Sequence, residues 1–461
     1  MNTPWLDLWL QASLCPDETL SAEALLERQM ALVRSTLAHA AANSPYYRGR
    51  LRDVSIGAIR TPLDMARLPR TGPDDLRAQP DAFLAASQDE VARVISVPTS
   101  GTSGPGKRVF YTPGDLERII RFFGFGMRNM LQPDETALVL LPGERPGSVG
   151  VLLGKALDTF GARAVVLSPD QAFGGPLGEP DRAMQTLLGK DVRCIVGAPA
   201  HLNALAAHWT AMGRKPGILR SALLCWDAVP DSVVQNVQRA FGCRTFQHWG
   251  MVETGLGGAV NCDQGQGLHL READIFVEIA DPDSGAPLAD GEWGEITVTT
   301  LSRRAMPLIR YRTGDRGCIL PGRCQCGSPL RRLDPRIRRL HDKLPLPGGT
   351  SMNAALLGER LYAVPGLADF QARLECDTEN RADDAPDRLV IEISGPAYGG
   401  AAPAMIQAAE DALAALPALA AATKHGLRIE IRATGRSGPL STGLEKRALR
   451  GAANHHPRET T

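Results

Sequence analysis

A short segment early in the chain carries the residue types that bind a phosphate. The segment TSGTSGPGK runs from Thr99 to Lys107. Glycines let backbone N–H groups approach an anion closely, hydroxyl groups donate to its oxygens, and the lysine adds a positive charge. The candidate phosphate-binding residues are Thr99, Ser100, Gly101, Thr102, Ser103, Gly104 and Lys107.

A flexible surface loop could have the same composition, because glycine, serine and threonine are common in loops. Apolar runs over 91–97 and 109–112 flank the segment, however, and predict a strand on each side. Flanking strands favour a rigid turn over a linker. The spacing matches neither the GxxxxGK[ST] loop of nucleotide triphosphatases nor the GxGxxG loop, so a phosphate-binding turn of another type is expected.

A second candidate site is FQHWGMVETG, over 246–255, at the end of a predicted strand. It places Trp249, Gly250 and Glu253 close together, and ligands of open α/β sheets bind beyond the carboxyl ends of strands. Trp249 could stack on a planar base, and Glu253 could bind a Mg²⁺ ion that bridges phosphates. Taken alone, the tryptophan could instead fill the core, and the glutamate could be a solvated surface acid.

A third segment, MPLIRYRTGD over 306–315, ends a predicted strand in a Thr-Gly-Asp turn. The carboxylate of Asp315 is well placed there to accept hydrogen bonds from the paired hydroxyls of a ribose. An ordinary Asx turn would explain the same residues equally well.

Two short pairs of soft or borderline metal ligands occur in the second half of the chain, and they are Cys262, His269, Cys324 and Cys326. Together they could form a closed tetrahedral site for a structural Zn²⁺ ion. The Cys-x-Cys spacing is tighter than the usual Cys-x2-Cys. Buried free cysteines beside an incidental histidine are therefore the alternative.

Composition narrows the class of protein. The chain has 461 residues and is 43% hydrophobic, which suits two or three compact domains. Lys+Arg and Asp+Glu are equal at 51 each, so no net charge favours nucleic acid or an anionic membrane as a partner. The N-terminus has no basic leader, no apolar stretch is long enough to span a bilayer, and the nine cysteines are an odd number. We therefore expect a cytoplasmic protein with reduced thiols and a small-molecule partner.

Periodicity predicts how the chain is organised. Residues 18–52 read as a helical cap with a breaker at Asn43-Ser44-Pro45. Alternating apolar runs and helical segments over 90–260 predict a mostly parallel sheet with crossover helices. Short alternating strands after residue 270 predict a β subdomain. Prolines and glycines over 340–349 mark a domain boundary near residue 342, and a small α/β pattern follows it. Its predicted elements are helix 354–363, strand 388–394, helix 403–415 and strand 427–432, with the Ala-rich stretch 400–423 read as a surface helix.

In this order and spacing, TSGTSGPGK, HWGMVETG and PLIRYRTGD resemble motifs of the adenylate-forming superfamily, most closely those of the phenylacetate–CoA ligase family. The resemblance covers roughly residues 25–342. It implies an α/β adenylate-forming fold with a large N-terminal domain over 1–342, comprising helical cap, α/β core and β subdomain. A small α+β domain over 343–461 would rotate between two reaction steps.

The resemblance also implies a reaction, its cofactors and its partners. An ATP-dependent acyl–CoA ligase activates a carboxylic acid, with an aryl acid as one candidate, as an acyl-adenylate and then transfers it to coenzyme A. ATP, Mg²⁺, coenzyme A and a structural Zn²⁺ ion are the implied ligands, and the oligomeric state is open, with a homodimer as one option. Two alternatives remain: a noncatalytic nucleotide-binding scaffold, or an adenylating enzyme that passes the acyl group to another acceptor.

Residue roles follow from the same resemblance. Lys107 and its loop would surround the phosphates, Trp249 would face adenine, and Glu253 would bind Mg²⁺. Further roles implied by position are Asp227 near adenine, Asp315 with Arg339 at the ribose, Asp342 at the hinge, and Cys262, His269, Cys324 and Cys326 around zinc.

The chain also departs from the family pattern. Leu444 stands where the family has a lysine that bridges carboxylate and phosphate in the first step. Lys446, two residues further on, is the candidate replacement, because it would lie on the same face of a strand. The segments 142–147 and 348–353 and residue Val252 also differ from the family pattern, and the first of these segments argues against phenylacetate itself as the acid.

Overall fold

The computed structural model of the protein describes residues 4–14, 21–97, 106–189, 191–340, 343–375, 388–396 and 402–441. The α-helices of these residues, numbered α1 to α13 in chain order, are Trp5–Leu14, Ala22–Asn43, Pro45–Arg50, Pro73–Ala78, Pro113–Met127, Val149–Asp158, Pro169–Ala172, Asp181–Gly189, Pro199–Ala211, Asp231–Phe241, Ala354–Leu361, Ala402–Ala414 and Pro417–Lys424. The strands, numbered β1 to β20, are Arg93–Val97, Lys107–Tyr111, Thr136–Leu140, Arg163–Val166, Val192–Gly197, Ser221–Leu224, Arg244–Trp249, Ala259–Asn261, Leu268–Leu270, Ile275–Ala280, Gly294–Thr300, Tyr311–Gly317, Ile319–Leu320, Arg332–Leu333, Arg338–Arg339, Leu344–Leu346, Thr350–Met352, Asp369–Glu375, Arg388–Ser394 and Arg428–Ala433.

The chain forms two compact units. The first unit comprises 1–134, 145–163 and 246–340, and the second comprises 135–144, 164–245 and 341–461. The first unit thus ends two residues before the predicted boundary near 342. Because the second unit also takes in 135–144 and 164–245, the division into domains 1–342 and 343–461 stays a prediction.

In the first unit, β1 and β2 form an antiparallel pair whose register joins Val97 to Lys107. The strands on either side of the phosphate-loop motif are therefore confirmed, and their ends are adjacent. Helix α5 starts directly after β2 because Pro113 occupies its first turn and the Thr112 side chain accepts a hydrogen bond from the Asp115 backbone N–H. This short connection fixes Lys107 and α5 to one rigid element.

Two antiparallel sheets complete the first unit. Strands β10, β11, β12 and β15 form one sheet, and the strands β7, β8, β9, β14 and β13 lie side by side in that order in the other. The predicted β subdomain is confirmed by these strands. A buried cluster that includes Trp249, Val277 and Ile296 packs between their faces.

In the second unit, β3, β5 and β6 pair in parallel, as the run of apolar segments predicts. Helices α9 and α10 pack together, and α10 ends at Gly242, whose φ of +64° is the left-handed conformation that glycine adopts without strain. The C-terminal strands β18, β19 and β20 form a second sheet. Its residues share one hydrophobic core with β3, β5, β6, α9 and α10.

The N-terminal helical segment breaks where the sequence predicts. Helix α2 ends at Asn43 and Pro45 begins a separate helix, because a proline lacks the N–H that would continue the first one. In the C-terminal segment, β18 was not predicted, and the stretch 400–423 that was predicted as one surface helix forms two, α12 and α13, because Pro417 begins the second. None of the described helices is by itself long and apolar enough to cross a membrane. Helices α12 and α13, which are bent relative to each other, have the length and composition of a membrane span only when they are taken together.

Candidate active site and candidate zinc centre

A buried ion pair links the end of the phosphate-loop motif to the HWGMVETG motif. Lys107, the first residue of β2, donates from Nζ to Oε1 of Glu253, which lies in the 3₁₀ turn Val252–Thr254 after β7. The Tyr311 hydroxyl of β12 donates to the same carboxylate oxygen at 2.8 Å and lies 3.4 Å from Lys107 Nζ. Glu253 is 3% exposed, so the three motifs meet at a carboxylate that is almost shielded from water.

The charges in this cluster determine its protonation. Burial by itself would raise the pKa of Glu253, but the Lys107 charge and the hydrogen bonds from Lys107 and Tyr311 together hold that pKa below its ordinary value. Burial, and then the Glu253 charge, raise the pKa of Tyr311 well above the ordinary value. The cluster therefore holds an ionised carboxylate and a neutral phenol at physiological pH.

A second buried carboxylate lies further along β12. Asp315 is 5% exposed; its Oδ2 accepts a hydrogen bond from Trp249 Nε1 at 3.0 Å, and its Oδ1 lies 3.1 Å from Arg339 Nη1. Arg339 is paired with Asp315 because β15 lies beside β12 in that register. The structure thus brings together Trp249, Asp315 and Arg339. Trp249 itself is 7% exposed and belongs to a hydrophobic cluster, so its contact with adenine stays a prediction.

The predicted zinc ligands also converge. Suitable ligand atoms of Cys262, His269, Cys324 and Cys326 all lie within 4.8 Å of one another. Cys262 Sγ is 3.6 Å from Cys324 Sγ, and Cys326 Sγ is 3.5 Å from His269 Nε2. The hydrogen bond from Cys326 is the largest of the effects that lower the pKa of Cys262, and a lowered pKa favours a thiolate at this position. Three sulfurs and one imidazole nitrogen at these separations fit a tetrahedral Zn²⁺ ion.

Several predicted site residues cannot be placed in these clusters. Thr99, Ser100, Gly101, Thr102, Ser103 and Gly104 lie outside the described residues, and so do Asp342, Leu444 and Lys446. Asp227 belongs to the second unit, where its Oδ1 accepts a hydrogen bond from the Ala228 N–H at 2.8 Å. Its predicted place near adenine stays a prediction. Gly250 follows β7 directly, in a tight turn where a Cβ would lie 3.0 Å from Gly257 Cα.

Sequence reasoning missed residues that contact Glu253 or its turn. Tyr311 was part of a recognised motif but had no predicted role, and neither Arg303 nor Arg271 was singled out. Arg303 Nη1 donates to the Glu253 carbonyl at 2.7 Å, and Arg271 Nη1 donates to the Gly255 carbonyl at 3.2 Å. Their position in loops after strands, distant in sequence from Glu253, gave no signal of this proximity.

Comparison with known proteins agrees with these motifs. A family model described as AMP-binding enzyme matches residues 39–302. The chain belongs to the AMP-binding enzyme family. The phenylacetate–coenzyme A ligase of Pseudomonas putida is 30% identical over 349 residues, which cover 73% of this chain and 76% of that protein. The enzyme of the same name from Thermus thermophilus is 28% identical over 83% of this chain and 84% of that protein.

Solved structures show the same fold. A 2-hydroxyisobutyryl-CoA ligase in the postadenylation state, in complex with R3-HIB-AMP, has a TM-score of 0.73 at 18% identity, covering 95% of this chain and 90% of that one. The adenylate-forming α/β fold and the likeness to phenylacetate–CoA ligases are thus confirmed. Family membership also confirms the predicted class of activity, ATP-dependent acid–CoA ligation through an acyl-adenylate.

Proposed function

We propose that β12 in this AMP-binding enzyme lies along MgATP, with the phosphates at the Glu253 end and the ribose at the Asp315 end. The supporting observation is that Tyr311 and Asp315 are both buried on β12 and contact different partners, Glu253 for Tyr311 and Trp249 for Asp315. Four residues of strand span at most about 13 Å. That separation suits a nucleotide whose triphosphate reaches one carboxylate while its ribose contacts the other.

The chemistry at the two ends differs. At the phosphate end, Lys107 supplies a cation for phosphate oxygens, and Glu253 supplies the hard oxygen ligand that Mg²⁺ prefers when it is bound jointly with phosphates. At the ribose end, Asp315 pairs with Arg339, and its carboxylate oxygens offer further lone pairs to two hydroxyl donors. Nucleotide binding would thus exchange the Lys107–Glu253 contact for contacts of both side chains with MgATP.

The acid substrate belongs to the same proposal. The named activity of the relatives favours an aryl acid, and the departure of 142–147 from the family pattern favours an acid other than phenylacetate. Coenzyme A is the proposed acceptor of the acyl group. The cysteine and histidine cluster is proposed to hold a structural zinc ion, because all of its positions are filled by protein ligands.

Calorimetry with ATP and Mg²⁺ tests the two-ended site directly. Asp315→Asn should weaken the binding of ATP and of AMP alike, because both nucleotides contain the ribose. Tyr311→Phe should weaken MgATP and leave AMP nearly unchanged, because it removes a hydrogen bond at the phosphate end only; a bond to a charged group is worth about 1.5–3 kcal/mol. Equal effects of both substitutions on both nucleotides would contradict this orientation.

A further inference from the structure

The turn that carries Glu253 has an unusual backbone. It consists of the 3₁₀ turn Val252–Thr254 followed by Gly255 at φ +79° and Leu256 at φ +62°. Two consecutive left-handed residues, one of them not glycine, are costly unless the surroundings fix them. Several carbonyl groups of such a turn have no partner within the turn itself, and each buried one needs a donor.

Two arginines from other elements supply those donors, and a tyrosine adds a further one. The Val252 carbonyl accepts the Gly255 N–H within the turn at 3.0 Å, and the Tyr111 hydroxyl, at the end of β2, is its second donor. Arg303 donates to the Glu253 carbonyl at 2.7 Å. Arg271 donates to the carbonyls of Gly255 at 3.2 Å and Gly257 at 3.4 Å.

These donors are held rigidly themselves. Arg271 is 2% exposed, and its Nε donates to Asp274 Oδ2 at 2.6 Å, while Asp274 also pairs with Arg118. The Arg303 guanidinium lies 5.1 Å from the centre of the Tyr111 ring. A Cβ at Gly255 would lie 3.1 Å from Arg303 Nη2 and 3.3 Å from Arg271 Nη1, so both guanidinium groups converge on this residue.

A direct role in substrate binding does not fit this arrangement. The cavity that these side chains line has a volume of about 20 Å³. That space is close to the minimum for one water molecule and far below the volume of a ligand pocket. The guanidinium groups also direct their hydrogen bonds to main-chain carbonyls and to Asp274.

We propose that Arg303, with Arg271 and Tyr111, is a positioning residue that holds the Glu253 turn so that the carboxylate faces Lys107 and the metal. This inference rests on the proposed role of Glu253 in Mg²⁺ binding. Groups that orient a metal ligand typically change metal affinity 10- to 100-fold when they are lost. Arg303 acts through the backbone of Glu253 and makes no contact with its carboxylate.

The test compares two neighbouring arginines. Arg303→Met removes the donor to the Glu253 carbonyl, whereas Arg304→Met removes an exposed side chain whose ion pair with Glu90 lies at 3.6 Å on the surface. ATP binding is measured by calorimetry in the full chain over a range of Mg²⁺ concentrations. Arg303→Met should raise the half-saturating Mg²⁺ concentration by roughly 10-fold or more, Arg303→Lys should restore part of it, and Arg304→Met should behave as the natural protein.

The remaining variants separate the possible failures. If Glu253→Gln raises the Mg²⁺ requirement but Arg303→Met matches Arg304→Met, the positioning role is wrong and the proposed function stands. If Glu253→Gln leaves the Mg²⁺ requirement unchanged, the proposed role of Glu253 is wrong. Tyr111→Phe keeps the ring and removes one donor to the turn; if Arg303→Met does not fold, an unchanged Mg²⁺ requirement in Tyr111→Phe overturns the positioning role.

Discussion

At the scale of single residues, the Lys107–Glu253 pair combines a structural and a functional role. Lys107 Nζ contacts the carboxylate of Glu253. The Glu253 side chain is 3% exposed, and the Lys107 side chain is 19% exposed. The motif alone suggested that both side chains face only phosphate and metal. Their mutual contact means that changing one of them also changes the folded protein in the absence of nucleotide.

Lys107→Ala should therefore lower both ATP affinity and stability. Removing one partner of a buried pair leaves the other charge uncompensated and lowers the free energy of unfolding by up to about 3–5 kcal/mol. Because Lys107 is partly exposed, we expect the loss to lie towards the low end of this range. The double variant Lys107→Ala with Glu253→Gln should recover most of the stability and none of the ATP affinity. Urea unfolding without nucleotide checks this, and equal stability of Lys107→Ala and the natural protein would contradict the buried pair.

His248, on β7 beside the site, predicts a pH effect on stability. Burial, and then the Arg271 charge, lower the pKa of His248 from 6.5 to about 4. Below pH 6.5 the unfolded chain binds a proton that the folded protein does not bind until about pH 4. The stability that neutral His248 contributes is present above pH 6.5 and is lost as the pH falls towards 4.

The measurement is thermal unfolding between pH 7 and about pH 4. His248→Gln should show a shallower loss of melting temperature over this range than the natural protein. His39→Gln, which changes a histidine of helix α2, is the control and should follow the natural curve. Identical slopes for all three proteins would rule out a depressed pKa at His248.

At the scale of elements, sequence patterns predicted whether a segment is a helix or a strand better than they predicted which segments contact one another. The strands around the phosphate loop and the strand before HWGMVETG were predicted because apolar runs and turn residues mark them locally. The contacts of Tyr311 and Arg303 with the Glu253 turn were not predictable, because they join segments about 50 residues or more apart through tertiary packing. The strand β18 was missed although Phe370, Ala372 and Leu374 alternate with polar residues along it.

The zinc prediction belongs to this scale, because the metal would join strand β9 and the loop before it to the loop between β13 and β14. Protein purified without chelator should contain one zinc ion per chain, and Cys324→Ser should lose it together with thermal stability. Cys318→Ser is a matched control, since Cys318 is also buried but lies outside the four-residue cluster. Zinc-free protein that is as stable as the zinc-treated protein would exclude a structural ion.

At the scale of the whole molecule, the C-terminal segment packs against helix α9. In the second unit, Asn203 of α9 donates from Nδ2 to the carbonyls of Leu367 and Ala368, both at 2.9 Å. Asn203 is 1% exposed. The sequence predicted a boundary near 342 and the elements of this segment other than β18, but no local pattern predicts which buried polar side chain connects the segment to α9. Rotation of the segment between reaction steps stays a prediction.

Leu444 occupies the position that bears on adenylation, the first step of the reaction. If a lysine at this position stabilises charge during adenylation, the natural protein should form acyl-adenylate slowly, and Leu444→Lys should accelerate that step by roughly 10²- to 10³-fold. If Lys446 already supplies the cation, Lys446→Ala should abolish adenylation and Leu444→Lys should change little. If neither substitution alters the rate of acid-dependent pyrophosphate release, the cation comes from another residue.

As an ATP-dependent acid–CoA ligase, this chain activates a carboxylic acid with ATP and transfers it to coenzyme A. The most direct measurement quantifies AMP, pyrophosphate and CoA ester in one reaction, over a panel of aryl and short-chain acids. We predict that at least one acid gives equal amounts of all three products, and that each product requires the acid. Binding of MgATP without AMP formation for any acid in the panel, or release of ADP in place of AMP, would contradict the claim.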